Sequence, residues 1–280
     1  MLMICRKRPF GGSEVHGKYT GARASVPSIH VAGPPFAGLS PVGHCFRGYR
    51  RFNGVGAAAH GAYSCRWMPT ATISRHCTPE PPDSRGFNRN AVIPFGVTPE
   101  HIEGAMRDFA HFLGYVDAEL ERRDVARLED MLMPANFSSI VGEFMSASIP
   151  KHCKSVVKNN YHIGHPDLLP AGRYPNDMAQ HAGGDGIEIK ASRYLRGWQG
   201  HNPEEAWLMV FVFAGGRPSD VVKKVAPEPF RFVMVLGALL EKSDWLYAGR
   251  SETSRRTITA SVTKSGYEKM AANWIYRRPT

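Results

Sequence analysis

The residues best suited to chemistry lie in one short alternating run, Ile187-Glu188-Ile189-Lys190-Ala191. In a β-strand, successive side chains point to opposite faces, and two residues span about 6–7 Å. Glu188 and Lys190 are therefore expected side by side on one face, with the apolar residues facing the core. A second carboxylate, Asp167, lies 21 residues before Glu188 at the start of another short β-rich run. A bend or hairpin of that length can bring Asp167 beside Glu188.

Two carboxylates and a lysine in this arrangement match the needs of phosphodiester hydrolysis. Carboxylate oxygens bind Mg²⁺, a hard cation that keeps several of its waters, and the metal stabilises charge and lowers the pKa of bound water. A neighbouring lysine orients or deprotonates the attacking water and offsets phosphate charge. The pattern predicts Asp167 and Glu188 as Mg²⁺ ligands, the carbonyl of Ile189 as a candidate third ligand, and Lys190 as the water-positioning group.

The same residues carry a family resemblance. Pro166-Asp167 followed by Glu188-x-Lys190 resembles the signature of the PD-(D/E)xK nuclease superfamily. Glu-x-Lys occurs once in the chain, whereas Pro-Asp occurs again at Pro82-Asp83. Three later stretches are similar to bacterial type II restriction endonucleases, namely GWQGHNPE, WLMVFVFA and DWLYAGRSETSRRTITA. The resemblance covers residues 98–280.

The resemblance implies a function. A type II restriction endonuclease hydrolyses double-stranded DNA at a specific site with Mg²⁺, leaves 5′-phosphate ends, and is paired with a cognate DNA methyltransferase. Members of the superfamily often carry a glutamate on a helix before the first strand, and Glu143 matches that position. The alternative for Glu143 is a helix-surface acid that faces solvent.

Two polar clusters that follow predicted strands are candidates to contact DNA: Arg193, Gln199, His201, Asn202, Arg250, Ser254, Arg255 and Arg256. Arginine binds guanine edges or phosphates, and serine contacts phosphate or base. Solvated loops have the same composition, so each cluster is a stronger prediction than any single member. Cutting both strands of a palindrome matches a two-fold axis, which predicts a homodimer. The helices of residues 99–133 are candidate interface elements.

Charge and composition divide the chain into two parts. The formal net charge is +10, but residues 1–90 carry 12 basic and three acidic side chains, so the remainder is nearly balanced. Residues 1–91 are rich in Gly, Pro, Ser, Arg and His and lack periodicity, which predicts a disordered basic segment. A wrongly chosen start codon would yield such a segment, which then would not belong to the native protein. Overall charge is therefore weak support for DNA binding.

Residues 92–280 are predicted to form the nuclease domain. Thr98-Pro99-Glu100 begins a helix to about residue 122, with further helical stretches at 125–132 and from Asn136. Short β-rich runs follow, and a last helix is predicted. The runs cover residues 161–163, 167–171, 186–192, 207–214 and 230–239, and the last helix covers 263–276. This order predicts an α/β (α+β) fold with a central mixed β-sheet flanked by helices.

No run is apolar for long enough to span a bilayer, and the start lacks the apolar region of a signal peptide. We therefore expect a cytoplasmic protein with no membrane partner.

Three other functions remain open. A repair or resolvase-type nuclease of the same fold would cut selectively for DNA structure. An inactive DNA-binding relative is disfavoured by the intact acidic residues and lysine. His165 and Asp167, with His181 or His201, could form the two-His-one-carboxylate triad of a non-heme iron oxygenase, although the helical first half argues against its usual jelly-roll. A Glu-x-Lys pair can also be a solvated sheet face.

Overall fold

The computed structural model describes residues 75–200, 203–247 and 260–280, which belong to one compact unit, Trp67–Thr280. Within these ranges no helix has the length and apolar character needed to cross a membrane. The helices are α1 (Pro99–Arg122), α2 (Leu128–Met131), α3 (Pro134–His152), α4 (Pro218–Val222) and α5 (Lys264–Ala272). The strands are β1 (Val156–Lys158), β2 (Leu168–Pro170), β3 (Ile187–Ser192), β4 (Gln199–Gly200), β5 (Ala206–Ala214), β6 (Arg231–Leu240), β7 (Trp245–Tyr247), β8 (Ala260–Val262) and β9 (Trp274–Arg277).

The centre of the fold is a six-stranded mixed sheet in the order β1-β2-β3-β5-β6-β9. Strands β3 and β5 pair in parallel, and the other neighbours are antiparallel. Helices α1 and α3 cover one face, and α5 packs on the other. This burial of both faces explains the unbroken apolar run of β5. The predicted α/β fold with a central mixed sheet flanked by helices is confirmed.

Helix α1 supplies the core of the first face. Its N-terminus has the predicted cap, since Pro99 stands at the first helical position after Thr98. The Phe109 ring is fully buried and lies 5.3 Å from Phe144 and 5.1 Å from Phe230, between ring centroids. Burying a side chain of this size contributes about 1.5–3 kcal/mol, so this aromatic cluster fixes α1 and α3 against the sheet.

Helix α3 has one core face and one open face. Phe137, Val141 and Met145 are fully buried, whereas a Cβ added to Gly142 would meet no atom within 4 Å. Glycine in a helix interior costs about 0.5–1 kcal/mol relative to alanine. We expect Gly142→Ala to raise the free energy of unfolding by that amount in urea denaturation. Gly104→Ala is the matched control and should bring no gain, because its Cβ would clash with the His152 ring.

The predicted disorder of residues 1–91 is incorrect for residues 75–91. Phe87 is buried, and its ring lies 4.7 Å from that of Tyr276. The backbone N–H of Glu80 donates to the Phe230 carbonyl at 2.8 Å, and that of Asn88 donates to Ile275 at 3.0 Å. These contacts with the sheet order residues 75–91, although their own sequence has no helical or strand periodicity. The prediction for residues 1–74 lies outside the described residues.

Two predicted elements also differ from the structure. Residues 161–163 form a turn rather than a strand, because the buried Asn159 side chain accepts hydrogen bonds from Tyr161 N and Ala179 N. The preceding strand is β1 instead. The last helix ends at Ala272, where the Asn273 amide donates to the Val92 and Gly237 carbonyls. The residues that follow Asn273 form β9 on the sheet edge.

Candidate active site

Strands β2 and β3 bring Asp167 beside the Glu-x-Lys run. Leu168 pairs with Ile187 in an antiparallel arrangement, so Asp167 lies next to β3. Its Oδ2 accepts the backbone N–H of Ile189 at 2.7 Å. The N–H and C=O of one strand residue point to the same edge, so the Ile189 carbonyl lies on the edge that faces Asp167. The two oxygen donors expected for a metal therefore share one side of β3.

The side chains of Glu188 and Lys190 lie on the same face of β3, opposite to those of Ile187 and Ile189, because alternate residues of a strand point to opposite faces. Parallel pairing with β5 aligns Glu188 with Leu208 and Lys190 with Val210. The Lys190 ammonium donates to Glu188 Oε1, and His165 Nδ1 lies 3.4 Å from Glu188 Oε2. Glu188 is only 9% exposed. A nearly buried carboxylate is thus held between a lysine and a histidine.

The surroundings shift the pKa values of the two carboxylates in opposite directions. Burial, and after it the negative charge of Glu188, raise the pKa of Asp167 to about 7. Burial acts in the same direction on Glu188, but the hydrogen bond with His165 and the charge of Lys190 outweigh it and lower the pKa of Glu188 to about 2. Against burial, the charge of Glu188 raises the pKa of Lys190. Two acids this close repel each other unless a positive charge lies between them.

These groups line one cavity of about 390 Å³ between α3 and β3. Its α3 side is formed by small and polar residues, namely Ser138, Ser139, Gly142, Glu143 and Ser146. Sequence reasoning missed this surface, although Ser138, Gly142 and Ser146 recur at four-residue spacing and so share a helix face. Small side chains there leave space in front of the carboxylates.

Glu143 lies at the rim of this cavity rather than among its buried groups. Its side chain is 69% exposed, and it accepts a hydrogen bond from Lys158 Nζ at 2.7 Å. Lys158 belongs to β1 and Lys154 to the turn before it. Both lysines therefore lie beyond α3, which ends at His152.

The DNA-contact candidates have different positions. Arg193 is held by the protein, since its guanidinium lies 4.9 Å from the Phe213 ring centroid and 5.4 Å from that of Phe137 and donates to the Gly215 carbonyl. Gln199 is exposed at the start of β4. Six candidates lie outside the described residues: His201, Asn202, Arg250, Ser254, Arg255 and Arg256.

The alternative iron triad requires His165 and Asp167 to converge with His181 or with His201, which lies outside the described residues. The imidazole rings of His165 and His181 stack with centroids 6.3 Å apart, and His165 Nδ1 lies 3.4 Å from Glu188. Among the residues that the structure describes, no three His, Cys, Asp or Glu side chains are grouped to hold a metal. A metal at Asp167 and Glu188 therefore needs backbone and water oxygens to complete its ligands, which suits Mg²⁺.

Comparison with protein-family models, with curated proteins and with solved structures finds no match to this chain. Within the cavity, Asp167 lies just before β2, and Glu188 and Lys190 lie on the neighbouring strand β3.

Proposed function

We propose that this protein is a Mg²⁺-dependent DNA endonuclease of the type II restriction class, which hydrolyses double-stranded DNA at a specific site and leaves 5′-phosphate ends. The supporting observation is the convergence of Asp167, Glu188 and Lys190 on one cavity. Phosphodiester hydrolysis requires this combination of hard oxygen ligands and a cationic donor at one place.

The donor set fits Mg²⁺. Asp167 Oδ2 and the Ile189 carbonyl lie on one edge of β3, and the Glu188 carboxylate borders the same cavity. A divalent cation there would relieve the repulsion that raises the pKa of Asp167. When bound, Mg²⁺ supplies a Lewis acid and a water of lowered pKa.

The chain's own residues position the substrate around that site. Asp167 and Glu188 hold the metal, and the hydrogen bond from Ile189 N fixes the Asp167 carboxylate. The Lys190 ammonium lies beside Glu188, where it can donate to the attacking water and offset the charge of the phosphate. Glu188 is nearly buried and Asp167 is half-buried, which strengthens each of these interactions.

We further propose a homodimer that acts on both strands in the cytoplasm alongside a cognate DNA methyltransferase. The helices of residues 99–133 supply apolar surface for a dimer, since Tyr115 is 71% and Met133 67% exposed. Sedimentation of the full chain over a concentration series measures this directly. A monomer at all concentrations, with and without DNA, would contradict the dimer and leave the cleft chemistry untouched.

The direct test is cleavage by the full chain. Incubation with plasmid and MgCl₂ should give discrete fragments whose sequenced ends carry 5′-phosphates, and EDTA should abolish the reaction. Cutting confined to branched or mismatched DNA would replace the restriction assignment with a repair or resolvase-type nuclease. Absence of any cleavage, specific or non-specific, would refute the proposal.

Substitution of Glu143 tests whether this carboxylate belongs to the metal site. Because its carboxylate is exposed and paired with Lys158, we expect Glu143→Gln to slow plasmid cleavage by no more than about fivefold, the value of an exposed ion pair. Asp167→Asn, measured beside it, should remove nearly all activity. A loss of about a hundredfold or more for Glu143→Gln would instead place this carboxylate at the metal.

A further inference from the structure

A second cavity, of about 340 Å³, adjoins the active-site cavity at Ser138, which lines both. Ser192 lines the second cavity, and it continues the alternation of Glu188 and Lys190 along β3. Two residues of a strand span about 6–7 Å, so the second cavity begins one such step beyond Lys190. The two cavities therefore lie side by side along β3.

Two arginines stand in the wall of the second cavity, and one of them has no acidic partner in contact among the described residues. Arg193 and Arg217 both line it, and the nearby Glu129 and Asp220 charges act on Arg193. Arg217 is exposed and makes no ion pair or hydrogen bond of its side chain within the described ranges. Asp220, the nearest acid in sequence, accepts a hydrogen bond from Ser219. The Arg217 guanidinium therefore keeps its donors for a ligand.

The turn that carries Arg217 is fixed by buried charged side chains. Arg193 Nη1 donates to the Gly215 carbonyl at 2.9 Å. A Cβ on Gly215 would overlap Glu129, and one on Gly216 would overlap Arg127. Because Arg127 and Glu129 are themselves buried, the backbone just before Arg217 is packed closely against the protein interior. Arg217 thus extends from a well-packed turn at the wall of the cavity.

Neutral donors stand beside this charge. Ser192 Oγ accepts the backbone N–H of Tyr194 at 3.0 Å, which leaves its own O–H available. The Tyr194 side chain is 72% exposed and lines the same cavity. A guanidinium with two nearby hydroxyls suits a phosphate oxygen, because each of the three groups can donate a hydrogen bond to it.

We propose that this second cavity binds a backbone phosphate of the cleaved DNA strand, next to the phosphate at the active site, with Arg217 as the charged donor and Ser192 and Tyr194 as neutral donors. The inference rests on the proposed function, because it names a further contact of the same substrate. Arg217 touches substrate away from the reacting atoms, so it governs binding more than the chemical step.

The test compares Arg217→Ala with Lys223→Ala in the full chain. Lys223 is exposed at the other end of α4 and lies outside the cavity lining, so it controls for loss of one positive charge. Binding of a fluorescent duplex is measured by anisotropy in EDTA over a salt series. We expect Arg217→Ala to weaken binding about tenfold and to reduce the slope of log K against log salt by about one. Lys223→Ala should match the wild type.

Cleavage kinetics provide a second readout. Arg217→Ala should raise KM and leave kcat within about twofold of wild type, since the lost contact is made equally in ground and transition states. The inference would be overturned if Arg217→Ala bound the duplex as tightly as the wild type. It would also be overturned if Arg217→Ala and Lys223→Ala lost the same affinity. If the wild type cuts DNA and Arg217→Ala has the same KM and affinity, the phosphate-binding role of the second cavity is refuted and the nuclease assignment stands. A wild-type protein that binds through Arg217 without cutting refutes only the nuclease assignment.

Discussion

We expect Lys190→Ala to cut DNA about 10²–10⁴-fold more slowly than the wild type, the range typical of losing a positioned proton-transfer or water-orienting group. The Lys190 ammonium is the one group on this face of β3 that donates to Glu188 from within the strand. Removing it deprives the attacking water of its donor and leaves the phosphate charge less well balanced. The reduction should appear in kcat, because the contact strengthens as charge develops.

The measurement is single-turnover cleavage of a labelled duplex at saturating protein and Mg²⁺. Lys154→Ala is a suitable control, since Lys154 is exposed and its ammonium donates to the Pro150 carbonyl. Duplex binding in EDTA verifies that the Lys190 variant is folded and engages DNA. A Lys190→Ala variant that cuts at the wild-type rate would remove the central residue of the proposed mechanism.

The second large effect concerns stability. We expect Arg127→Ala to lower the free energy of unfolding by about 3–5 kcal/mol, because breaking a buried ion pair strands its partners. The Arg127 side chain is 0% exposed, and its Nε lies 3.2 Å from Asp130 Oδ2. Its Nη1 lies 3.5 Å from Glu129 Oε2. The variant loses both the charge and the packing of a large side chain.

The acidic side chains around Arg127 determine how much stability is lost when Arg127 is removed. Within the part of the chain that the structure describes, both Glu129 oxygens are buried without a hydrogen-bond partner, and burial raises the pKa of Glu129 to about 8 despite the opposing charge of Arg127. Asp130 has a second cation, since Arg75 Nε lies 3.2 Å from its Oδ2. Removing Arg127 therefore takes away the one charge that most opposes burial at Glu129, leaves Asp130 with Arg75 alone of its two cations, and opens space where a large buried side chain stood.

Urea denaturation at pH 7 measures the effect. Arg122→Ala is the matched control, because Arg122 is 69% exposed and pairs with Glu119 at 2.9 Å. Exposed pairs contribute about 0–1 kcal/mol, so this variant should unfold close to the wild type. Equal stability of the two variants would show that the buried cluster contributes no more than a surface pair.

Elements dominated by local pattern could be predicted from the sequence. Helix α1 follows from its cap and apolar spacing, and β3 and β5 follow from alternation and an apolar run. The closeness of Asp167 to Glu188 was also predictable, because about twenty residues suffice for a hairpin-like return. In each case the information lies within one short window of the chain.

Features that depend on distant partners could not be predicted. The turn at residues 161–163 is organised by Asn159 through bonds to residues up to 20 positions away. Arg193 lies in a polar stretch, but Phe137 and Phe213 draw its guanidinium inward. Glu143 lies among apolar neighbours in sequence, yet the rotation of α3 against the sheet exposes it. Only the packed fold determines these positions.

One consequence follows from the docking of residues 75–91. Glu80 pairs with Arg278, and Phe87 packs on Tyr276, so residues 80–87 and the C-terminal strand meet at one place on the surface. Domains with adjoining ends tolerate circular permutation and insertion into other proteins. A short linker from residue 280 to a residue just before Glu80 should therefore keep the strands of the sheet in their register. The cleft could then be carried within a host protein as a self-contained module.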